Sequence, residues 1–360
     1  MDRINIKDTD LKLSRLGLGC VNAGVKWDGQ EAFDLFDAFL DMGGNVYDTA
    51  RVYSDWIPSE KGRSERVLGQ WLAHSGKRHD VILVSKGGHP DMTGPNPDMH
   101  KSRVSESCLK YDLEESLRVL VTDYIDIYQV HNPSMEQLDQ VLAKDGALEA
   151  LQEAKKAGKI GHLGLTAHSV EVFERALDLD WVETIMFPYN IVEGQGEELI
   201  AECKKRNIGF IDMKPLAGGA IENGTLALRY ICSNPNVTIV IPGMAEEHEM
   251  EENIKACLDS SPLSQTELDE IRKVREQLGT NFCRRCNYCA PCSAGISIPN
   301  VFLFAGYLNR YDLGEWARSR YSTLQAKASD CIECGVCETR CPYHLPIRKM
   351  MKECAEQFGE

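Results

Sequence analysis

One stretch near the N-terminus combines side chains that could transfer a proton: Tyr47-Asp48-Thr49-Ala50-Arg51-Val52-Tyr53. It follows a short apolar segment and contains phenols, a carboxylate and a guanidinium, whereas a loop that only connects two elements uses mainly Gly, Ser and Asn. Phenols and carboxylates can donate or accept a proton during a reaction. The stretch is therefore interpreted as part of an active site, provided that partner residues converge on it from elsewhere in the chain.

Cysteines near the C-terminus form a second chemical feature. Nine of the fourteen cysteines lie in the last 78 residues, and eight of them form two runs: Cys283-x-x-Cys286-x-x-Cys289-x-x-Cys292 and Cys331-x-x-Cys334-x-x-Cys337-x-x-x-Cys341-Pro342. The second run has the spacing of bacterial ferredoxins, which bind four-iron four-sulfur (4Fe-4S) clusters. Zinc is the alternative metal, although zinc sites usually pair two Cys-x-x-Cys units from separate loops. Disulfides are a weaker alternative because the N-terminus has no export signal.

The ligands can be grouped by the ferredoxin pattern, in which the fourth ligand of each cluster comes from the other run. One cluster would then be held by Cys283, Cys286, Cys289 and Cys341, and the other by Cys331, Cys334, Cys337 and Cys292. The first run departs from this pattern, because only two residues separate Cys289 from Cys292 and Ser293 follows where proline is usual, so the exchange of ligands between the two runs stays open. Aromatic residues between Val301 and Leu324 are expected on helices that cover the clusters, so the segment resembles an α-helical ferredoxin module.

Hydrophobic periodicity predicts the elements that must position the N-terminal stretch. Apolar, β-branched runs alternate with amphipathic helical patterns over the first 260 residues. After a hairpin from Ile4 to Lys12, the predicted strands are Leu16 to Cys20, Val46 to Thr49, Val81 to Lys86, Tyr124 to Val130, Ile160 to Leu165, Thr184 to Phe187, Gly209 to Met213 and Thr238 to Ile241. Alternation in this number predicts an α/β fold, a (β/α)8 TIM barrel followed by a small α-helical ferredoxin-like domain. A doubly wound sheet is the alternative, but the turn after the first strand lacks the third glycine of a dinucleotide-binding loop.

Polar residues lie at the carboxyl ends of three neighbouring predicted strands, where TIM-barrel enzymes carry their chemistry. Asp48 ends the second strand with Tyr53 just beyond it, Lys86 ends the third, and His131 follows the fourth. A lysine ammonium can lower the pKa of a phenol, and a carboxylate can hold that lysine in place. An imidazole can donate or relay a hydrogen bond to a substrate oxygen. The four fit protonation of a carbonyl oxygen during hydride transfer, whereas Tyr47, within the strand, is expected to pack.

Residues 1 to about 262 resemble the aldo-keto reductase family. The matching motifs are Ser14-Arg15-Leu16-Gly17-Leu18-Gly19, Gly44-Asn45-Val46-Tyr47-Asp48-Thr49-Ala50 with Tyr53, Gly62-Arg63-Ser64-Glu65, Ser85-Lys86 and Asp126-Ile127-Tyr128-Gln129-Val130-His131. The resemblance implies an NAD(P)(H)-dependent oxidoreductase that interconverts a carbonyl compound and its alcohol. It also implies that Tyr53 is the general acid/base and that Asp48, Lys86 and His131 complete a catalytic tetrad.

The resemblance further implies a set of cofactor-binding residues, several of which depart from the family pattern. The positions are Gly19, Cys20, Thr166, Asn190, Met213, Lys214, Pro215, Leu216, Gly243, Met244, Glu252 and Asn253. Thr166-Ala167 stands where the family has Ser-Asn, and Met213 stands where it has an aromatic residue against the nicotinamide. Cys20 stands in the place of a family threonine.

The cofactor itself is expected to be NAD(H) or NADP(H), with NADH favoured. Where the family places basic residues around the 2′-phosphate of NADPH, this chain has Ala245-Glu246-Glu247-His248-Glu249. Carboxylates repel a phosphate, whereas a ribose diol can donate hydrogen bonds to them. Together with the tail, the expected cofactors are one nicotinamide dinucleotide and two 4Fe-4S clusters.

Two loops beyond the strand ends are expected to shape the substrate pocket. Trp56 lies just past Tyr53, and His89 lies just past Lys86. With Val21 they form the predicted substrate contacts. An aromatic face and an imidazole donor suit a polyhydroxylated carbonyl compound, so a sugar-derived or small oxo-acid substrate is the hypothesis.

Composition limits the partners and the domain organisation. The net charge is −15, but residues 281–360 contain ten Lys/Arg and eight Asp/Glu, so they carry +2 and the remainder carries −17. An acidic chain is not expected to bind nucleic acid or an anionic membrane surface. No apolar run is long enough for a transmembrane helix, and the N-terminus predicts a cytoplasmic protein. The expected domains are the barrel at 1–262, a linker helix at 263–280 and the iron–sulfur domain at 281–360.

The role of the clusters and two further functions stay open at this point. A hydride carries two electrons and a cluster transfers one, and no flavin fingerprint is visible to convert between them. The clusters are therefore either structural or exchange electrons with a redox partner protein. One alternative is an electron-transfer protein with a nicotinamide-binding barrel. The other is a non-redox epimerase or lyase that uses the same tetrad with tightly bound NAD.

Overall fold

Eight parallel strands pair side by side in chain order in a computed structural model of the protein. The structure describes residues 1, 3–6, 9–55, 61–93, 98, 101–279, 282–310 and 314–360. The first and last strands meet where Leu16 pairs with Val240, and Val240 N donates to Arg15 O at 3.0 Å and Gly19 N to Pro242 O at 3.1 Å. These bonds close the sheet into a barrel, which confirms the predicted fold.

The barrel strands begin and end within one residue of the predicted positions. A separate hairpin of β1 (Arg3–Asn5) and β2 (Lys12–Ser14) comes first. The barrel strands are β3 (Gly17–Gly19), β4 (Val46–Asp48), β5 (Ile82–Gly87), β6 (Ile125–Val130), β7 (Ile160–Thr166), β8 (Thr184–Pro188), β9 (Gly209–Met213) and β10 (Ile239–Ile241). Prediction succeeds here because parallel strands buried on both faces read as nearly continuous apolar runs.

A helix follows each barrel strand. These helices are α1 (Gly29–Asp41), α2 (Arg63–Ser75), α3 (Glu106–Val119), α4 (Met135–Leu142), α5 (Ala147–Lys156), α6 (Val170–Leu177), α7 (Glu197–Lys205), α8 (Gly224–Cys232) and α9 (Glu247–Leu258). Local capping fixes several starting points. At α4, for example, Ser134 accepts a hydrogen bond from Gln137 N while the Gln137 side chain accepts one from Ser134 N, which satisfies two amides of the first turn.

The barrel interior is filled by branched side chains from alternate strand positions, and the hairpin covers its N-terminal end. The interior set consists of Val46, Val84, Ile127, Met186, Ile211, Ile239 and Ile241, packed with Ile6, Leu11 and Leu13 around the hairpin. A Cβ at Gly209, where β9 begins, would lie 2.3 Å from Ile6 Cδ1, so a larger residue there would displace the Ile6 side chain. With the N-terminal end covered, the opposite end is the open one.

The chain divides into two compact units, Met1–His89 with Ser102–Gln277 and Pro90–Lys101 with Leu278–Glu360. The predicted linker helix is present as α10 (Gln265–Leu278), and it is held in the first unit by Arg275, whose Nε donates to Ile191 O at 2.6 Å. The second unit contains α11 (Ile298–Arg310), α12 (Gly314–Ser322), α13 (Val336–Arg340) and α14 (Ile347–Phe358). Among the described residues, no helix combines the length and apolar character needed to cross a membrane.

Candidate active site

Strands β4 and β5 bring three of the predicted residues together at the open end of the barrel. Asp48 is the last residue of β4, and Lys86 extends beyond it because Asp48 pairs with Val84 in the parallel register. Lys86 Nζ lies 2.5 Å from Asp48 Oδ2, 2.7 Å from Thr49 O and 3.3 Å from Tyr53 Oη. The Lys86 and Asp48 side chains are only 1% and 5% exposed. A buried ammonium therefore bridges a carboxylate and a phenol.

Backbone contacts hold the loop that carries Tyr53. Arg51 N donates to Lys86 O at 3.1 Å, which attaches the loop to β5. Ser54, which sequence analysis missed, has a φ of 74° and is fully buried, and its Oγ donates to Ala23 O at 2.9 Å and Val21 O at 3.2 Å. A positive φ at a non-glycine residue persists only where its surroundings impose it. No sequence signal marked Ser54, because its partners lie about thirty residues away in the chain.

His131 completes the predicted tetrad and stands beside two further imidazoles. Its ring centroid lies 6.0 Å from that of Tyr53 and 4.5 Å from that of His89. Its Nδ1 is buried and has no hydrogen-bond partner among the residues that the structure describes. His168, a buried residue just after β7, also influences His131 electrostatically, as does Lys214. Sequence analysis missed His168, although its position just beyond a strand end could have marked it.

Burial determines the protonation states in this site. It raises the pKa of Tyr53 well above its usual range, and Asp48 adds to the effect. It lowers the pKa of His131 well below its usual range, with His89 and Lys86 adding to the effect. It also lowers the pKa of Lys86, while the neighbouring Asp48 carboxylate opposes that shift. The sequence predicted a Tyr53 pKa lowered by Lys86, whereas in the folded site desolvation of the phenolate outweighs the ammonium.

These directions predict a pH profile for carbonyl reduction. Tyr53 should stay protonated and His131 neutral from about pH 7 to about pH 9, since one pKa is raised above and the other lowered below that interval. We expect kcat/KM with the reduced cofactor to be constant across it. A decline with a midpoint inside the interval that persists in His131→Asn would contradict this, because it would show Tyr53 or Lys86 losing its proton there.

The two cysteine runs come together as two groups of four in the second unit. One cavity, of about 310 Å³, is lined by Cys283, Cys286, Cys289 and Cys341, here called site A. Another, of about 400 Å³, is lined by Cys292, Cys331, Cys334 and Cys337, here called site B. Each group takes three cysteines from one run and the fourth from the other, which is the grouping predicted from the ferredoxin pattern.

The donor arrangement suits clusters better than zinc. No three Cys, His, Asp or Glu side chains within the described ranges are placed to hold one metal ion. Four cysteines around one cavity instead supply the number of thiolate ligands that a 4Fe-4S cluster takes. The residues of sites A and B therefore fit 4Fe-4S clusters.

Family comparison agrees with the fold and the residues at the strand ends. The profile of the Aldo/keto reductase family matches residues 15–225 and 221–276. The chain belongs to the aldo/keto reductase family. The profile of a 4Fe-4S dicluster domain matches residues 282–346, which include every cysteine of sites A and B. This reductase therefore combines an aldo/keto reductase barrel with an iron–sulfur domain.

Relatives of this reductase are found among curated proteins and solved structures. The uncharacterized oxidoreductase YqkF of Bacillus subtilis (strain 168) is 25% identical over 319 residues, 77% of this chain and 97% of YqkF. L-galactose dehydrogenase of Arabidopsis thaliana is 28% identical over 313 residues, 75% of this chain and 92% of that protein. The structure of the aldo-keto reductase AKR11C1 from Bacillus halodurans (holo form) matches with a TM-score of 0.64 and 26% identity over 76% of this chain and 96% of that chain. These similarities identify the chain as an oxidoreductase.

Three of the predicted cofactor residues of the reductase line the ends of β3 and β7. Gly19 approaches Pro242 so closely that a Cβ would lie 3.0 Å from its carbonyl oxygen. Cys20 is buried beside Asp48, and burial raises the pKa of its thiol well above the usual range. The thiol is therefore neutral and unreactive, and it serves only to line the site. Thr166 Oγ1 accepts a hydrogen bond from Asn132 N at 2.8 Å. That bond fixes the loop that follows His131.

The loop after β9 is anchored by Asn190. Its Nδ2 donates to Lys214 O at 3.0 Å and to Glu193 Oε2 at 2.7 Å, and its Oδ1 accepts from Val192 N at 3.0 Å. Lys214 has a φ of 59°, so this clamp holds it in an unusual backbone conformation. Asn190 therefore positions the loop, which continues through Pro215 and Leu216. Met213 packs partly against the barrel interior and offers an apolar face at its open end.

Helix α9 presents the last group of predicted cofactor residues. Gly243 and the buried Met244 lead into the helix, and Glu252 and Asn253 lie within it, the first exposed and the second half-buried. At its N-terminus, Glu249 Oε2 accepts hydrogen bonds from Ala245 N at 2.6 Å and Glu246 N at 3.2 Å. The Glu249 carboxylate therefore already accepts the hydrogen bonds of two backbone amides that an incoming anion would need.

Two of the predicted substrate residues are visible in the structure. His89 is buried against His131, and Val21 is half-buried, with its carbonyl oxygen holding Ser54. Trp56 lies outside the described residues, so its predicted role stays a prediction. The described part of the predicted substrate pocket is therefore rich in imidazole, from His89 and His131, rather than apolar.

Proposed function

We propose that this chain uses a nicotinamide dinucleotide to interconvert a carbonyl compound and its alcohol, with Tyr53 as proton donor and acceptor. The observation that carries the proposal is the buried position of Lys86 Nζ, 2.5 Å from Asp48 Oδ2 and 3.3 Å from Tyr53 Oη. The open barrel end fits the nicotinamide through the apolar face of Met213 and the buried Nδ1 of His131, which has no hydrogen-bond partner among the described residues. When bound, the dinucleotide supplies or accepts the hydride.

The residues of the chain perform the proton chemistry. In reduction, Tyr53 Oη donates its proton to the carbonyl oxygen as that oxygen gains negative charge. Lys86 stabilises the phenolate left on Tyr53, and Asp48 holds the ammonium in position. Neutral His131 can donate one hydrogen bond to the same substrate oxygen and so orient it. In oxidation of the alcohol, each proton moves in the opposite direction.

The substrate class that we propose is a polyhydroxylated, sugar-derived carbonyl compound. Burial lowers the pKa values of His131 and His168, and His89 adds a third imidazole against His131; imidazole donors and acceptors recognise hydroxyls. Similarity to L-galactose dehydrogenase over 75% of this chain supports the same class. A panel should compare sugar substrates with aliphatic aldehydes of similar length. A higher kcat/KM for sugars in the wild type, reduced selectively by His89→Leu, would support the class, and equal values for both would overturn it.

NADH is proposed as the preferred form of the dinucleotide. Glu249 accepts hydrogen bonds from Ala245 N and Glu246 N, so a 2′-phosphate would meet a carboxylate instead of free amides. We expect kcat/KM to be higher with NADH than with NADPH. Glu249→Gln should shift the ratio several-fold towards NADPH, corresponding to about 1 kcal/mol. Glu251→Gln, which removes an exposed charge from the same helix, is the control; a wild type that prefers NADPH would contradict the proposal.

Sites A and B are proposed to hold one 4Fe-4S cluster each. Support comes from their cysteine groups and from the dicluster profile over residues 282–346. Protein purified without oxygen should contain about eight iron and eight sulfide ions per chain. Stoichiometric zinc without sulfide would overturn this part of the proposal and leave the carbonyl chemistry untouched.

A further inference from the structure

Site A contains a buried cation in its wall. Arg284 is 5% exposed and lines the same cavity as Cys283, Cys286, Cys289 and Cys341. Its Nη1 donates to Phe282 O at 2.7 Å. Its guanidinium carbon lies 3.9 Å from the ring centroid of Phe282 and 4.5 Å from that of Tyr343. These contacts hold the guanidinium in place beside the thiolates.

Site B is built differently. Its wall includes Glu333 and Arg348, and its ligand Cys334 is exposed. Arg348 Nη2 lies 2.7 Å from Glu338 Oε2, so its charge is paired with a carboxylate. Ile332, also in this wall, is 65% exposed. Site B therefore has one exposed ligand and a paired charge in its wall, whereas site A has two buried ligands, Cys289 and Cys341, and a buried arginine.

Reduction adds one negative charge to a cluster that already carries thiolate ligands. An enclosed, apolar surrounding disfavours that charge and lowers the reduction potential, whereas a nearby cation raises it. Cys289 and Cys341 are buried, as is the neighbouring Phe302, so site A bears the unfavourable effect of burial. Arg284 is a positive group in the same wall, and its charge is screened less than that of an exposed residue.

We propose that Arg284 raises the reduction potential of the cluster in site A and so makes that enclosed cluster reducible. The inference rests on the proposed cluster in site A. It assigns Arg284 a role in cluster electronics besides its packing against Phe282 and Tyr343. For a unit charge about 10 Å from a cluster, we apply Coulomb's law with an effective dielectric constant of about 20. The charge then changes the ratio of reduced to oxidised cluster roughly tenfold.

The test is a redox titration of the full-length holoprotein, followed by electron paramagnetic resonance. In Arg284→Gln, the ratio of reduced to oxidised cluster at a fixed solution potential should fall about tenfold for one cluster. Arg285→Gln removes the same formal charge from the adjacent, exposed position and is the matched control. Arg284→Lys keeps the charge and should restore most of the ratio. An unchanged ratio in Arg284→Gln, or an equal shift in Arg285→Gln, would overturn the proposal.

Further measurements separate this proposal from the one on which it rests. Cys334→Ser should perturb the other cluster, and a shift of the same signal by both substitutions would contradict the assignment to site A. Iron and sulfide content shows independently whether clusters are present. If Arg284→Gln fails to bind iron, Arg284→His can replace it, because its imidazole loses charge as pH rises. In that variant the potential of one cluster should fall with rising pH more than in the wild type, and identical profiles would overturn the proposal.

Discussion

Replacement of Tyr53 with phenylalanine is expected to lower kcat for carbonyl reduction by about 10²- to 10⁴-fold, the usual contribution of general acid catalysis. The ring can keep its place 6.0 Å from His131, and only the hydroxyl 3.3 Å from Lys86 Nζ is lost. The substitution therefore removes the proton donor of the proposed reaction. Steady-state oxidation of NADH with a good carbonyl substrate measures the effect.

Tyr47→Phe provides a matched control for this substitution. Tyr47 is fully buried, and its hydroxyl donates to Phe36 O at 2.7 Å, away from the open end of the barrel. Its loss should cost about 1 kcal/mol of folding stability and leave kcat essentially unchanged. If Tyr53→Phe retained more than about a tenth of wild-type kcat, the role proposed for Tyr53 would be wrong. An iron and sulfide content equal to that of the wild type in Tyr53→Phe would show that the loss is confined to the barrel.

Replacement of Lys86 with methionine should impair both activity and folding. The substitution leaves Asp48 buried without the ammonium that lies 2.5 Å away. Removal of one partner from a buried ion pair typically costs about 3–5 kcal/mol. We expect a lower urea midpoint of the barrel transition and a kcat close to that of Tyr53→Phe. Urea unfolding followed by circular dichroism, with the same preparation assayed for turnover, measures both effects.

The pH dependence and a double variant distinguish charge from packing in this result. Burial raises the pKa of Asp48 and Lys86 lowers it, so loss of the lysine leaves a carboxyl whose folded-state pKa lies above its unfolded value. Such a carboxyl destabilises the folded protein as pH rises from its unfolded pKa to its folded-state pKa. The loss of folding stability in Lys86→Met should therefore be smaller near pH 5 than near pH 8. Adding Asp48→Asn should recover stability without recovering kcat. A deficit independent of pH would point to lost packing instead.

Local pattern in the sequence was sufficient for the framework. Parallel barrel strands are apolar on both faces, so β4 through β9 could be located from composition, and α10 (Gln265–Leu278) lies within the segment predicted as a linker helix, residues 263–280. Strand order then brought Asp48, Lys86 and His131 to one end of the barrel. The residues that pack or cap over long sequence distances gave no comparable signal. Ser54 depends on Ala23, and the position of Lys214 depends on Asn190.

The sequence by itself therefore determined the barrel, the residues at its strand ends and the two cysteine runs, because spacing and periodicity are local properties. Only the tertiary structure decided how those groups are surrounded. It placed Cys292 with Cys331, Cys334 and Cys337 in one cavity, and it placed Arg284 in the wall of the other. It also reversed the expected direction of the Tyr53 pKa shift. Burial and electrostatic environment arise from contacts between distant segments, and neither can be read from residue type and spacing alone.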